Sequence, residues 1–190
     1  LSVGVNSSDN YIYTGLSFSG DIYKNNNSTS RPVTFSSTVT ISGAITVTNS
    51  NTATTTVTGV LDGNNASSNW TQGTDSFVSF SNATKPLNTN GTLTASASGN
   101  TVTYTGTAAA IKDATYNNLT INGAGSATIG AATIVNDTMT VTSAVTNNST
   151  LTVTTALSGA STLTNSATGT LNIGGTSGIT GLTATAVGNT

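Results

Sequence analysis

An alternation of threonine with apolar residues between positions 138 and 164 constrains the fold of this chain more than any other feature. It occurs at 138–141, 150–153 and 162–164, with starts twelve residues apart. Successive side chains of a β-strand point to opposite faces, so each copy predicts a strand with one apolar and one hydroxyl-bearing face. Threonine and valine are β-branched and favour strands over helices. The segment therefore predicts a short strand repeated along an axis.

Similar strands, separated by Gly, Asn or Ser, recur from Val39 to Val187, and this regularity argues against disorder. Segments 147–149 and 158–160 predict turns, and Asp62-Gly63 is the strongest turn dipeptide. Two strands would make a unit of about 20–24 residues, within the range of solenoid repeats. We predict an all-β fold, either a β-solenoid that resembles a parallel β-helix or a β-sandwich of stacked sheets.

The interior is expected to change along the chain. All ten aromatic residues lie between Tyr11 and Tyr116, and Asp137 is the only charged residue after Asp113. Large side chains can fill a wide interior, whereas close packing of small aliphatic ones requires a narrow interior. We predict an aromatic-containing β region over residues 1–105 and a narrow, Thr-rich β-repeat region over residues 106–190.

The N-terminal segment, residues 1–23, is apolar on both faces in places, which suits a strand covered by something else. It either caps its own domain or completes the sheet of a neighbouring molecule by strand addition. The candidate assembly residues are Tyr11, Ile12, Tyr13, Leu16, Phe18 and Ile22.

Composition excludes several classes of function. Charged residues make up 5% of the chain, against about 25% in typical proteins. The net charge of −2 predicts neither nucleic-acid binding nor a polybasic membrane patch, and no apolar run reaches the roughly 18–20 residues of a membrane span. The chain has no Cys, hence no disulfide or thiolate metal site. This composition resembles that of extracellular or cell-surface proteins. Leu1 is compatible with a processed mature terminus and equally with a trimmed fragment.

No arrangement of residues predicts catalysis, a metal or a cofactor. The six Asp residues are scattered, whereas a glycosidase needs two carboxyl groups within about 5–10 Å. The chain has no His to activate a Ser nucleophile and no calcium-binding loop motif. We therefore expect a protein that is not an enzyme.

Two surface features remain open. Asn-x-Ser/Thr sequences are frequent, as the composition alone would make them, and the candidate glycosylation sites are Asn6, Asn69, Asn82 and Asn148. The Thr-x-Thr pairs raise the possibility of ice binding, which requires one regular, flat column of threonines. Their uneven intervals make this a less favoured alternative, because threonine is also the simplest soluble β-former.

Residues 99–125 carry a resemblance to a known class. The segment GNTVTYTG, followed by YNNLTINGAG, is similar to the repeats of bacterial β-strand-repeat, haemagglutinin-like surface adhesins. The resemblance implies export, a parallel β-helix or related stacked-strand fold, and an adhesive or structural role. It implies no catalytic residues.

These observations predict a self-assembling structural subunit of a surface filament or sheath, whose partner is a second copy of itself. Stacked strands end in open edges that can pair with another chain, and this chain has few charges to prevent it. A head-to-tail contact propagates into a filament unless it closes. The alternative is an adhesin or carbohydrate-binding module in which exposed Trp70 and Tyr104 line a groove and stack on surface glycans.

Overall fold

The protein is a parallel β-solenoid. The computed structural model describes residues 32–184 and, before them, the backbone of three strands at 11–13, 16–18 and 22–24. Every regular element in these residues is a β-strand, and the strands stack in parallel through about eight turns. This confirms the predicted all-β class and selects the solenoid over the sandwich, for the aromatic first part as well as the Thr-rich second part.

The strands lie on three sides of the solenoid, so a complete turn has three strands rather than the two predicted, except in the fourth turn and in the last part of the stack. Side one contains β1 (Tyr11–Tyr13), β4 (Val33–Phe35), β7 (Thr54–Val57), β10 (Phe77–Phe80), β12 (Thr101–Tyr104), β15 (Asn118–Ile121) and β18 (Thr138–Val141). Side two contains β2 (Leu16–Phe18), β5 (Val39–Ile41), β8 (Leu61–Gly63), β13 (Ala110–Ile111), β16 (Ala127–Ile129) and β19 (Val145–Asn147). Side three contains β3 (Ile22–Lys24), β6 (Thr46–Asn49), β9 (Asn69–Gln72), β11 (Thr92–Thr94), β14 (Thr115–Tyr116), β17 (Thr133–Val135), β20 (Thr150–Val153) and β22 (Thr170–Ile173). Two longer strands, β21 (Ala156–Asn165) and β23 (Thr176–Thr183), continue from side one into side two.

The turns shorten in the middle of the chain. On side one, Phe77 pairs with Thr101, which lies 24 residues later, whereas Thr101 pairs with Asn118, only 17 residues later. Side one nevertheless stays in register through this step, with four paired residues on each side of β12. The division into two domains near residue 105 therefore remains a prediction, and the sheet itself crosses that position without a break.

The interior follows the change from aromatic to aliphatic residues. One inward column on side one consists of residues that are each at most 2% exposed: Val57, Phe80, Tyr104, Ile121 and Val141. Burying such a side chain stabilises the fold by roughly 1.5–3 kcal/mol relative to leaving it exposed. The buried apolar residues from Val39 to Leu163 form one cluster, so the core is continuous along this part of the stack.

Two of the turns predicted from sequence are strand residues. Segment 158–160 lies inside β21, and Asp62-Gly63 lies inside β8. The carboxylate of Asp62 accepts hydrogen bonds from the backbone N–H groups of Gly63, Thr89 and Asn90, at 3.0, 3.1 and 3.4 Å. Asp62 therefore holds the loop of the next turn rather than closing a hairpin of its own.

Candidate functional site

In the last described turn, residues of the inward columns are exposed or only partly buried. One inward column on side two runs through Val145, Leu163 and Leu182, and their exposed fractions are 1%, 0% and 48%. Ile179, which also lies in β23, is only partly buried. On side three the fully buried Leu151 and Val153 are followed by two partly buried residues, Leu171 and Ile173. We call this end of the stack, formed by β22 and β23, the terminal turn.

The terminal turn also has an open strand edge without charged residues. One edge of β23 pairs with β21, and no described strand pairs with the other edge. Proteins usually block such an edge with charged side chains, of which lysine is the commonest. No charged residue follows Asp137 in the sequence. The terminal turn therefore combines exposed apolar residues, unpaired backbone groups and an absence of electrostatic repulsion.

The predicted N-terminal assembly strand is three strands instead of one. Tyr11, Ile12 and Tyr13 form β1, Leu16 and Phe18 belong to β2, and Ile22 begins β3. Their backbones pair in parallel with β4, β5 and β6 of the same chain. The chain of a solenoid turns a corner after each short strand, so an apolar segment of this length is divided into several strands. These strands form the first turn of the stack, and their side chains lie outside the described residues.

The two aromatic residues of the carbohydrate-binding alternative are in the interior. Trp70 is 1% exposed and packs edge-on against Phe35, with ring centroids 6.3 Å apart. Tyr104 is 0% exposed and packs against Phe80 at 5.5 Å. Neither side chain can stack on a sugar in this structure. The wide turns of the first part accommodate both residues in the core. Their isolated positions in a polar sequence do not predict this burial.

Tyr104 belongs to a buried hydrogen-bond network that the sequence did not reveal. Its hydroxyl lies 2.9 Å from the hydroxyl of Tyr116, which donates to the carbonyl oxygen of Lys112 at 2.6 Å. The backbone N–H of Lys112 donates in turn to the Tyr104 hydroxyl, at 3.1 Å. Burial raises the pKa of both tyrosines above its ordinary value, so the phenols are neutral hydrogen-bonding groups.

The Lys112 side chain forms a hydrogen bond at the place on side two where the fourth turn has no strand. The fourth turn has no strand between β10 and β11, where Pro86 offers no N–H for a ladder and Leu87 has a φ of 53°. The Lys112 ammonium donates to the Leu87 carbonyl oxygen at 2.9 Å and lies 3.8 Å from Asp113. Lys85 also pairs with Asp113, at 3.2 Å. This cluster joins consecutive turns, which is a structural role.

The Asp113 carboxylate is ionised by these contacts. Burial alone would raise its pKa, but hydrogen bonds from its own backbone N–H and from Lys85, together with the charge of Lys112, hold the pKa below its ordinary value. The only sequence sign of the cluster is the Lys112-Asp113 pair, which follows an apolar stretch and lies between two tyrosines.

The candidate glycosylation sites differ in accessibility. Asn148 is exposed, and Asn82 is half-buried in a loop where its side chain accepts a hydrogen bond from the Thr84 N–H at 2.8 Å. Asn69 lies within β9, where its side chain donates to Thr71 at 3.1 Å. Asn6 lies outside the described residues. Of the three described sites, Asn148 is the most accessible to a transferase.

The threonine columns are more regular than the sequence suggests. The three copies of the twelve-residue repeat lie on different sides of the solenoid, in β18, β20 and the second half of β21. True columns follow the turns, and one column on side one carries a hydroxyl in seven consecutive turns. It consists of Thr34, Thr56, Ser79, Thr103, Thr120, Thr140 and Ser158. Successive members should lie about 4.7–4.9 Å apart, the separation of neighbouring strands.

The comparisons with known proteins add no function. No family model, no curated protein and no solved structure matches this chain. Within the described residues no group of three or more acidic side chains could hold a metal ion, and no helix is long and apolar enough to cross a membrane. The terminal turn and the hydroxyl column are therefore the two surfaces on which a function can be argued.

Proposed function

We propose that this chain is an extracellular structural protein, a self-assembling subunit of a surface filament or sheath. The observation that carries this proposal is the terminal turn, where Leu182 ends an otherwise buried column and is 48% exposed. Exposed apolar residues beside an unpaired strand edge favour pairing with another chain. The extracellular location rests on the scarcity of charge and the resemblance of residues 99–125 to surface adhesin repeats.

A charge placed on the terminal turn tests this function. We expect the wild-type protein to form filaments visible by electron microscopy, and the variant Leu182→Lys to remain monomeric in analytical ultracentrifugation. Ile134→Lys is the matched control, since Ile134 is also an exposed apolar residue, at 43%, but lies in the middle of the stack. It should assemble like the wild type. A wild-type protein that stays monodisperse at every concentration would contradict the proposal.

Ice binding is a second candidate, favoured by the hydroxyl column of side one. Within the described residues, the hydroxyls of Thr56, Thr103, Thr120 and Thr140 form no hydrogen bond with the protein, so they are available to ordered water. Thr120→Lys should then abolish the inhibition of ice recrystallisation. Thr152→Lys, on side three, is the control and should retain it. Absence of inhibition by the wild type would eliminate this candidate.

The carbohydrate-binding alternative has lost the residues on which it was based. Trp70 and Tyr104 are both core residues, so mutating either would test core packing rather than a surface contact. Phe77, at 38% exposed, is the exposed large aromatic residue of the described part. It stands alone among threonines on side one, with Thr54 and Thr101 as its strand neighbours. Nothing in this arrangement forms a groove for a glycan.

A further inference from the structure

We infer that the subunits join head to tail, with the terminal turn of one copy against the first turn of the next, so that one solenoid continues across the junction. This inference rests on the proposed self-assembly and adds the partner surface. At each junction the unpaired edge of β23 would pair with β1 and β2 of the next copy.

The two ends of the stack are complementary edges of one cross-section. The strands pair in parallel, and each strand uses one edge for the preceding turn and the opposite edge for the following turn. Among the described strands, β1, β2 and β3 have no partner on the preceding side, and β22 and β23 have none on the following side. The unpaired edge of β23 can pair with the unpaired edges of β1 and β2 in another copy, because backbone N–H and C=O groups alternate along both.

The difference in turn length does not prevent this junction. The terminal turn is narrow and the first turn is wide, since Ile22 of β3 pairs with Val47, 25 residues later. A wide and a narrow turn already stack inside the chain, at β10, β12 and β15, and side one keeps four residues in register there. The proposed junction is the same step in reverse order.

Side one supplies the register for a test. In the backbone register, Ile12 pairs with Thr34, the first residue of the hydroxyl column, and Gly178 pairs with Ser158, the last residue of that column. Head-to-tail continuation places Gly178 opposite Ile12 of the next copy. A Cβ added at Gly178 meets nothing within 4 Å, so a cysteine fits there. Neighbouring strands lie about 4.7–4.9 Å apart, which is within the Cα separation of a disulfide, roughly 4.4–6.8 Å.

The experiment uses the full chain with two cysteines, Ile12→Cys and Gly178→Cys, in a protein that has no others. The two positions are eight turns apart, about 38 Å at the usual strand separation, so they cannot form a disulfide within one chain. Under mild oxidation we expect a ladder of covalent oligomers on a non-reducing gel that collapses to monomer on reduction. Each single-cysteine variant should remain monomeric on the same gel.

A matched control places the second cysteine in the same column but inside the stack, as Ile12→Cys with Thr140→Cys. It should give no ladder, because Thr140 is covered on both edges by neighbouring turns. Efficient dimers of the Gly178→Cys variant alone would overturn the inference in favour of a tail-to-tail contact. If filaments form but the double variant gives no ladder, this contact is wrong and the proposed function stands. If nothing assembles, because the chain covers its own ends, both fail.

Discussion

A Cβ added to Gly123 would overlap the carbonyl oxygen of Gly106 in the preceding turn, so two successive turns meet at this corner with no space for a side chain. Gly106 stands in the same relationship to the carbonyl oxygen of Asn82, one turn earlier. These glycines end the segments 99–106 and 116–123, which carry the resemblance to adhesin repeats. The glycine of that pattern therefore has a physical reason, the close approach of stacked backbones.

Gly123→Ala should lower the free energy of unfolding by roughly 2–3 kcal/mol, because the backbone at the corner must shift to accommodate the methyl group. The control is Gly130→Ala, where an added Cβ meets nothing within 4 Å. Since neither glycine has a positive φ, Gly130→Ala should be neutral or slightly stabilising. Urea denaturation of the two variants measures the difference. Equal midpoints would show that the corner is not close-packed.

The sequence was sufficient for the class of fold but not for its register. Alternation at 138–141 and 150–153 predicted strands correctly because each strand has one buried and one exposed face. The twelve-residue interval between them was misleading, since it measures the step from side one to side three rather than a full turn. The length of a turn depends on how tightly each corner closes, which is a tertiary property of residues such as Gly123.

The candidate sites were less predictable for a related reason. Trp70 and Tyr104 are of the residue types that stack on sugars, but both occupy inward-facing positions of their strands, β9 and β12. Which alternate positions of a strand face inward can be assigned from sequence only when the strand ends are known. The exposure of Leu182 depends on its position in the last turn rather than on its neighbours in sequence, because the similar residue Leu163 is fully buried one turn earlier.

Lys112 is predicted to matter for stability and Lys85 is not. Lys112→Met leaves the buried carbonyl oxygen of Leu87 without its donor, which should cost about 1–3 kcal/mol of unfolding free energy. The Lys85 side chain is 29% exposed and its ion pair with Asp113 is partly solvated. Lys85→Met should therefore cost about 0–1 kcal/mol. Thermal unfolding of both variants tests this, and a larger loss for Lys85→Met would contradict the assigned role.

The pair Tyr104 and Tyr116 should make the fold sensitive to alkaline pH. Burial raises the pKa of both groups above the ordinary value of 10.0, so the folded state keeps protons that the unfolded state loses. Ionisation of these groups should therefore cause no pH dependence of the unfolding free energy below about pH 9. Above about pH 10 the unfolding free energy should fall as the pH rises. The variant Tyr104→Phe/Tyr116→Phe, less stable at neutral pH, should show a shallower alkaline decline. An unchanged slope in urea titrations at several pH values would show that other groups are responsible.

Assembly through the terminal turn should be insensitive to salt, since no charged residue follows Asp137 and the contact consists of apolar residues and backbone hydrogen bonds. The fraction of wild-type protein that sediments should be the same in about 0.1 M and about 1 M NaCl, and it should rise in sulfate, which strengthens apolar burial. Leu182→Lys should prevent assembly at both NaCl concentrations, because the contact would bury an unpaired ammonium group. Screening acts mainly on exposed charges, so about 1 M NaCl should not restore its assembly. The strands β1, β2 and β23 hold no charged residue, so wild-type filaments that dissolve in NaCl would indicate that charged residues elsewhere in the chain make the contact instead.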